Sequence, residues 1–237
     1  FLSNQFDGAR LNEVLAVNDT LIRIRINPEN EPINPSPWYA FKIWSDQAVN
    51  YWIEFTYPGG AFHRYFPKIS TDGRDFQNVD STTFRSESLP GKRPETAHLK
   101  LLLSPDTLWI SAQDFVGTDE VTVWKEELLK LDFVDRLKIG ESTEGRTLEV
   151  LKIGEADDSK MLMIISMQHP PEIPGYLAMK AFVETICEDS PEARKFRSNY
   201  NLYVMPQMNP DGVANGHWRH NSGGIDLNRD WVNFNQP

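Results

Sequence analysis

The sequence predicts two domains: an all-β antiparallel sandwich over residues 1–115, then an α/β domain over residues 116–237. Three observations carry this reading. The first half alternates apolar and polar residues in short runs punctuated by turn formers, the pattern of half-buried strands. The second half holds continuous apolar runs at 161–167 and 201–205, which suit strands covered on both faces. Between those two runs apolar residues recur at helical spacing, so the order is strand, helix, strand.

Taken in order, residues 21–26 put Ile22, Ile24 and Ile26 on one face and Arg23 and Arg25 on the other, which predicts a half-buried strand. Residues 38–44 and 51–57 are aromatic-rich, as strands tend to be, and Pro58, Gly59 and Gly60 then break the chain. Residues 70–96 are polar and rich in turn formers. Residues 99–103 and 108–111 are further strands joined by a turn at Ser104, Pro105 and Asp106. Most aromatics here fall at alternating positions, which reads as core packing, although seven Trp also suit a carbohydrate or peptide surface.

The character changes after Asp114. Residues 120–124 read as a last strand and 125–131 as a turn or two of helix. Residues 137–141 and 148–153 are short strands around a hairpin connection at Thr143, Glu144, Gly145 and Arg146. The run 161–167 is a buried strand. After it, Met179, Phe182, Val183 and Ile186 fall at i, i+3, i+4 and i+7 and form one helical stripe, with Pro174 suited to the first turn. Residues 201–205 form the next buried strand. No internal repeat or low-complexity segment interrupts this order.

Composition excludes some functions. With 24 Lys and Arg against 34 Asp and Glu, the formal net charge is −10. That argues against nucleic acid as a partner, because phosphate binding needs clustered cations. No apolar run approaches the ~18–20 residues of a membrane-spanning helix. A lone cysteine, Cys187, forms no intrachain disulfide and sits in an apolar helical pattern, as a packed thiol does. No signal peptide is visible, but the chain begins at Phe1, so a leader removed earlier is compatible with it.

Three clusters carry chemistry. His169 and Glu172 share a proline-stiffened loop just past the buried strand ending at Met167. Ligands gather at such strand ends in α/β sheets, and an imidazole and a carboxylate on one tight loop can share a zinc ion. By itself this pair is a weak signal. Asn209, Pro210, Asp211 and Gly212 follow the next strand and read as a turn. Finally, Trp218-Arg219 and Asp226-Leu-Asn-Arg229 place two arginines, an Asn and an Asp near glycines. Arginine forks suit carboxylates, and the plain alternative is a surface loop with ordinary salt bridges.

In this order, His169-x-x-Glu172, Asn209-Pro-Asp-Gly212, Trp218-Arg219 and Asp226-Leu-Asn-Arg229-x-Trp231 resemble the zinc carboxypeptidase family. Within it they resemble the cytosolic carboxypeptidase-like branch, which carries a β-sandwich domain before the catalytic one. The resemblance is specific over residues 169–231 and looser over the front half. It implies the first part of an α/β/α catalytic domain with a mixed sheet, one zinc ion, and peptide or protein C-termini as substrate. His169 and Glu172 would be zinc ligands, and Asp226 would hold the far nitrogen of His169. Arg219 would polarise the scissile carbonyl. Asn228 and Arg229 would clamp the substrate's terminal carboxylate, which places the last peptide bond for hydrolysis. The implied chemistry is metal-assisted hydrolysis with a glutamate as general base.

The match has gaps. The family's third zinc ligand is a histidine far downstream, and its base glutamate lies further on. The chain ends six residues after Trp231, so both are expected beyond Pro237. The sheet is expected to be incomplete for the same reason, and residues 233–237 do not look like a domain end. A fragment is therefore expected. His217 and His220 flank Arg219 and read as solvent-facing or structural, and Pro171 stands where relatives more often have glycine. Two other functions fit the motifs. One is an amidohydrolase of N-acyl amino acids, resembling aspartoacylase. The other is an inactive carboxypeptidase fold used as a binding module. Localisation stays open, with the cytoplasm favoured by the resembled branch.

Overall fold

The structure, a computed structural model, describes residues 1–30, 36–58, 60–88, 90–157 and 160–233. Gly59 of the expected break, Leu89 within the polar stretch, and residues 234–237 of the closing stretch lie outside the described residues. The chain divides into two units, residues 1–115 with 215–218, and residues 116–214 with 219–237. No helix among the described residues is long and apolar enough to cross a membrane.

The first unit is built of strands: β1 (Leu2–Ser3), β2 (Glu13–Asn18), β3 (Leu21–Arg25), β4 (Ala40–Ile43), β5 (Val49–Thr56), β6 (Lys68–Ser70), β7 (Gln77–Asn78), β8 (Phe84–Glu87), β9 (Thr96–Leu103) and β10 (Leu108–Ser111). They form two five-stranded sheets, in the orders β1-β4-β10-β6-β7 and β2-β3-β5-β9-β8. The alternation read from residues 21–26 holds in space: Ile22, Ile24 and Ile26 are buried, and Arg23 and Arg25 are exposed. One buried cluster draws Ile24, Ile53, Phe55 and Leu99 from one sheet and Phe41, Ile43 and Ile110 from the other. Trp38, Tyr39, Phe41 and Phe55 lie inside it, so these aromatics are core. The expectation of purely antiparallel pairing needs one correction. β3 runs parallel to β5, with Ile22 opposite Ile53 and Ile24 opposite Phe55. A parallel neighbour cannot be reached by a tight hairpin, and the long passage through residues 26–48, with β4 in the other sheet, supplies the crossover.

Residues 215–218 pack with this unit. Arg10, itself buried, donates from Nη1 to Gly216 O (3.2 Å) and from Nη2 to Asn27 O (2.5 Å). Trp218 N donates to Glu29 Oε1 at 3.0 Å, and its ring meets Tyr65 edge-on. Gly216 has φ +62°, and a Cβ there would stand 2.4 Å from Ala9 O, so only glycine fits.

The second unit begins with α1 (Thr118–Leu128), followed by β11 (Val134–Glu141), β12 (Thr147–Ile153), β13 (Met161–Ile165), α2 (Ile173–Cys187), α3 (Pro191–Asn199), β14 (Asn201–Met205) and the short helix α4 (Pro210–Ala214). A 3₁₀ turn spans Leu227–Arg229. The sheet order is β11-β12-β14-β13, with β13 and β14 parallel and the other pairs antiparallel, so the sheet is mixed. The hairpin between β11 and β12 closes through Gly145 at φ +80° and a bond from Ser142 N to Arg146 O.

Three expectations differ here. The strand expected at 120–124 is helix: Val121, Trp124 and Leu128 are buried at helical spacing, and Val123, which made the segment look alternating, is 63% exposed. Asp119 and Glu120 in its first turn complement the helix dipole. The run 161–167 forms a strand over Met161–Ile165, but Met161, Leu162, Met163 and Ile165 are exposed rather than covered, and among the described residues β13 pairs with β14 alone, at the edge of its sheet. The crossover from β13 to β14 holds two helices rather than one. α3 starts at Pro191 behind Ser190, whose side chain accepts from Ala193 N, a cap signal the stripe analysis passed over. In α2 the stripe buries Tyr176, Met179, Val183 and Ile186, while Phe182 stays 40% exposed beside Phe196.

Candidate active site

The loop after β13 turns sharply. Met167, fully buried, takes φ +47°, a left-handed conformation uncommon outside glycine. The turn is held by Met208 N donating to Ser166 O (3.0 Å) and Asn209 N donating to Met167 O (3.2 Å), so the loops after β13 and β14 are stitched together. Two residues on, His169 is buried and Glu172 is half exposed. Glu172 then leads straight into α2, whose Pro174 occupies the first turn.

Asp226 is the centre of the arrangement. Its side chain is 5% exposed. Oδ1 lies 3.1 Å from His169 Nε2 and accepts from Asn228 N at 3.0 Å. Oδ2 accepts from Arg219 Nε at 2.5 Å and from Arg229 Nη1. One carboxylate therefore collects an imidazole, two guanidinium groups and a backbone amide. On the other side of the His169 ring, Nδ1 lies 2.6 Å from Glu172 Oε1. That hydrogen bond holds the Glu172 carboxyl below its ordinary range; burial opposes the shift without cancelling it. Asn228 and Arg229 are exposed, and Arg219 is partly covered. The six residues picked from sequence thus come together, with Asn228 joined to the others through its backbone amide.

The donor set fits a zinc ion in kind. With Nε2 engaged by Asp226, Nδ1 is the nitrogen left for a metal, and the neighbouring carboxylate is a hard oxygen donor. His169 Nδ1 and Glu172 Oε1 would hold the ion, and the half-exposed Glu172 side chain leaves room for one between them. Among the described residues no group of three or more His, Cys, Asp or Glu side chains converges to hold a metal ion. Neither His217 nor His220 joins the pair, and His220 is fully buried. A cavity of about 290 Å³ in this unit is lined by Lys125, Arg136, Glu149 and Gln207 among others, and by none of the six residues.

Residues 124–236 match the zinc carboxypeptidase family. An uncharacterized protein of Zymomonas mobilis is 35% identical over 236 residues, covering 96% of this chain and 58% of that protein. Cytosolic carboxypeptidase 6 of Mus musculus is 31% identical over 108 residues, covering 43% of this chain and 20% of that protein. A solved metallo-carboxypeptidase from Burkholderia cenocepacia matches with a TM-score of 0.79 at 22% identity, over 98% of this chain and 62% of that one. A metallo-carboxypeptidase from Pseudomonas aeruginosa, solved in complex with (2-guanidinoethylmercapto)succinic acid, matches at 0.74 with 23% identity and the same coverage. At such identities the structural likeness establishes a mixed α/β carboxypeptidase-like fold with several sheets. The chain spans less than two thirds of each of these relatives.

Within residues 124–236, the Asn209–Gly212 motif does more than turn the chain. Asn209 to Gly212 was expected to be a turn, but Pro210 opens α4, and both flanking polar side chains are buried. Asp211 accepts from Ser142 Oγ (2.6 Å), Arg146 Nη1 (2.7 Å), Glu144 N (3.1 Å) and Ser222 Oγ (3.2 Å). Burial raises its carboxyl, and the hydrogen bonds together outweigh that and leave it lowered. The signal was available in composition: an Asp and an Asn beside a proline and a glycine suit capping as well as turning. The partners, near residue 144 and near residue 222, lie too far along the chain to be inferred.

Proposed function

We propose that the protein is a zinc metallocarboxypeptidase that hydrolyses the C-terminal residue of peptides or proteins. The observation that carries this is the convergence of His169, Arg219 and Arg229 on the single buried carboxylate of Asp226. His169 and Glu172 would hold one zinc ion, which supplies Lewis acidity toward the scissile carbonyl when bound. Asp226 fixes the His169 ring and its tautomer. Arg219, aimed by its bond to Asp226, stabilises the negative charge that develops on the carbonyl oxygen. Asn228 and Arg229, both exposed, take the terminal carboxylate, and that clamp restricts cleavage to the last peptide bond. The Pseudomonas neighbour's complex with a succinic acid derivative supports a carboxylate-reading site in this fold.

A catalytic zinc takes three protein ligands. Two are named here, and the third, with the base glutamate, is assigned to sequence beyond residues 1–237. Residues 1–237 alone are accordingly expected to be inactive. The all-β front unit, with its two sheets around one core, is read as a sandwich domain bounded after residue 115, and the cytoplasm is the compartment suggested by the cytosolic carboxypeptidase relatives.

The test uses the full-length protein with zinc, on three substrates: a peptide with a free C-terminus, the same peptide amidated, and an N-acyl amino acid. Release of the last residue from the free peptide alone is the expected result. Cleavage of the amidated peptide at a similar rate would remove the carboxylate clamp. Turnover of the N-acyl amino acid alone would move the protein to the amidohydrolases.

A further inference from the structure

The Asn209–Gly212 motif has no part in the proposed reaction, yet its side chains are buried polar groups and deserve a use. Asn209 is 3% exposed. Its Oδ1 accepts from Gly212 N at 2.9 Å and so caps α4. Its Nδ2 donates to His220 O at 2.9 Å, and its backbone N donates to Met167 O. One residue therefore ties the loop two positions before His169 to the carbonyl one position after Arg219.

The surroundings keep this amide in place. A Cβ on Gly212 would stand 2.5 Å from Asn209 Nδ2 and 2.6 Å from His220 O, so any larger residue there would push the amide off the carbonyl. Asp211, next along, holds Ser222 Oγ, and through Ser142 and Arg146 it anchors α4 to the β11–β12 hairpin. The segment carrying Arg219 is thus fastened at residues 220 and 222 to α4, which is itself bonded to the β11–β12 hairpin. Arg219 Nε donates to Asp226 Oδ2 at 2.5 Å. Where that side chain lies depends also on the backbone that carries it, and a misplacement of ~1 Å can cost ~10²-fold in rate.

We propose that Asn209 is a positioning residue for Arg219: the Nδ2–His220 O bond sets the backbone from which Arg219 meets Asp226. This rests on the carboxypeptidase reading above. It assigns a role in the reaction to a residue that touches neither substrate nor metal.

The variant Asn209→Asp isolates the bond. Aspartate keeps the acceptor that caps α4 and lacks the donor to His220 O. Asn209→Ser, which also caps and is uncharged, serves if the first variant fails to fold. Two readouts are taken on the full-length protein. One is the Arg219 Nε–H signal in a ¹⁵N spectrum, assigned by its loss in Arg219→Lys. The other is kcat and KM on the free peptide. The expected result is a moved or broadened Arg219 signal, with kcat lowered by ~10- to 100-fold, KM within about threefold, and zinc content unchanged. An unmoved signal, or a moved signal with unchanged kcat, overturns the proposal. An inactive wild type would sink the carboxypeptidase reading alone, and the Arg219 signal would still decide whether the tether exists.

Discussion

Asp226 shows how much one buried side chain can organise. An unpaired carboxylate at 5% exposure would be strongly destabilising, and partners of opposite charge remove that penalty. The two arginines do not share the work equally. Arg219 is 22% exposed and Arg229 61% exposed, so the Arg229 pair is screened and contributes little to stability, on the order of 0–1 kcal/mol. Arg229→Ala in the full-length enzyme should therefore leave the melting temperature and the zinc content nearly unchanged. It should lower kcat/KM for removal of C-terminal residues by ~10²-fold or more, the order of cost for deleting one partner of a charged recognition pair. A variant as active as wild type on free C-termini would exclude the clamp. His169 and Glu172 were visible in the sequence as a local pair, since three residues and two prolines confine them to one loop. The bond from Asp226 to His169, spanning 57 positions, came only from the family resemblance.

At the scale of elements, α2 matters because it begins where the loop carrying His169 and Glu172 ends. Its last carbonyls have no helical partners. Arg197, from α3 and 7% exposed, supplies them by donating from Nη1 to Ile186 O (2.5 Å) and to Glu188 O (3.0 Å) while lying over the Phe133 ring at 4.0 Å. Arg197→Ala strands those carbonyls and is expected to destabilise the protein by about 2–4 kcal/mol in urea unfolding. Arg197→Lys should recover less than half, because an ammonium cannot lie flat over the Phe133 ring as the planar guanidinium does. A change under ~0.5 kcal/mol for the alanine variant would show the cap to be idle. Helix α2 itself was legible from its stripe. Helix α1 was not, because Val121 and Val123 mimic a strand over five residues, and only the burial of Trp124 and Leu128 against the second core reveals the longer period.

Over the whole molecule, the two units carry differently titrating buried groups. In the first, His63 is 5% exposed, its Nδ1 2.9 Å from Tyr57 Oη and its Nε2 against Tyr65 O. Burial pushes it down from 6.5 to about 4; the bond to Tyr65 opposes the shift. Between those values the unfolded chain binds a proton that the folded unit refuses, so stability is complete above pH 6.5 and declines as pH falls to 4, by about 3 kcal/mol. In the second unit the lowered carboxyl of Asp211 acts the same way only at lower pH. Its contribution is full above the ordinary carboxyl range and is lost as pH drops through its folded value. Hydrogen exchange corrected for intrinsic rates should therefore show peptides of residues 1–115 losing protection between pH 7 and pH 5 before those of 116–214. His63→Gln should abolish that difference. Equal loss in both units would contradict the assignment.

The sequence by itself determined the strands β3, β4, β5, β9 and β10 of the first unit and the helix α2 between strands β13 and β14 of the second, while the six residues near Asp226 were picked from short motifs through the family resemblance. Those features are local periodicities or short motifs, written within a few residues of one another. The tertiary structure decided the parallel pairing of β3 with β5, the exposed apolar face of β13, and the burial of Asn209 and Asp211 under segments from residues 142–146 and 220–222. Each depends on which distant segment arrives to cover a surface or accept a hydrogen bond. No local pattern encodes that, because a buried polar side chain and a surface turn residue look the same until the partner is in place.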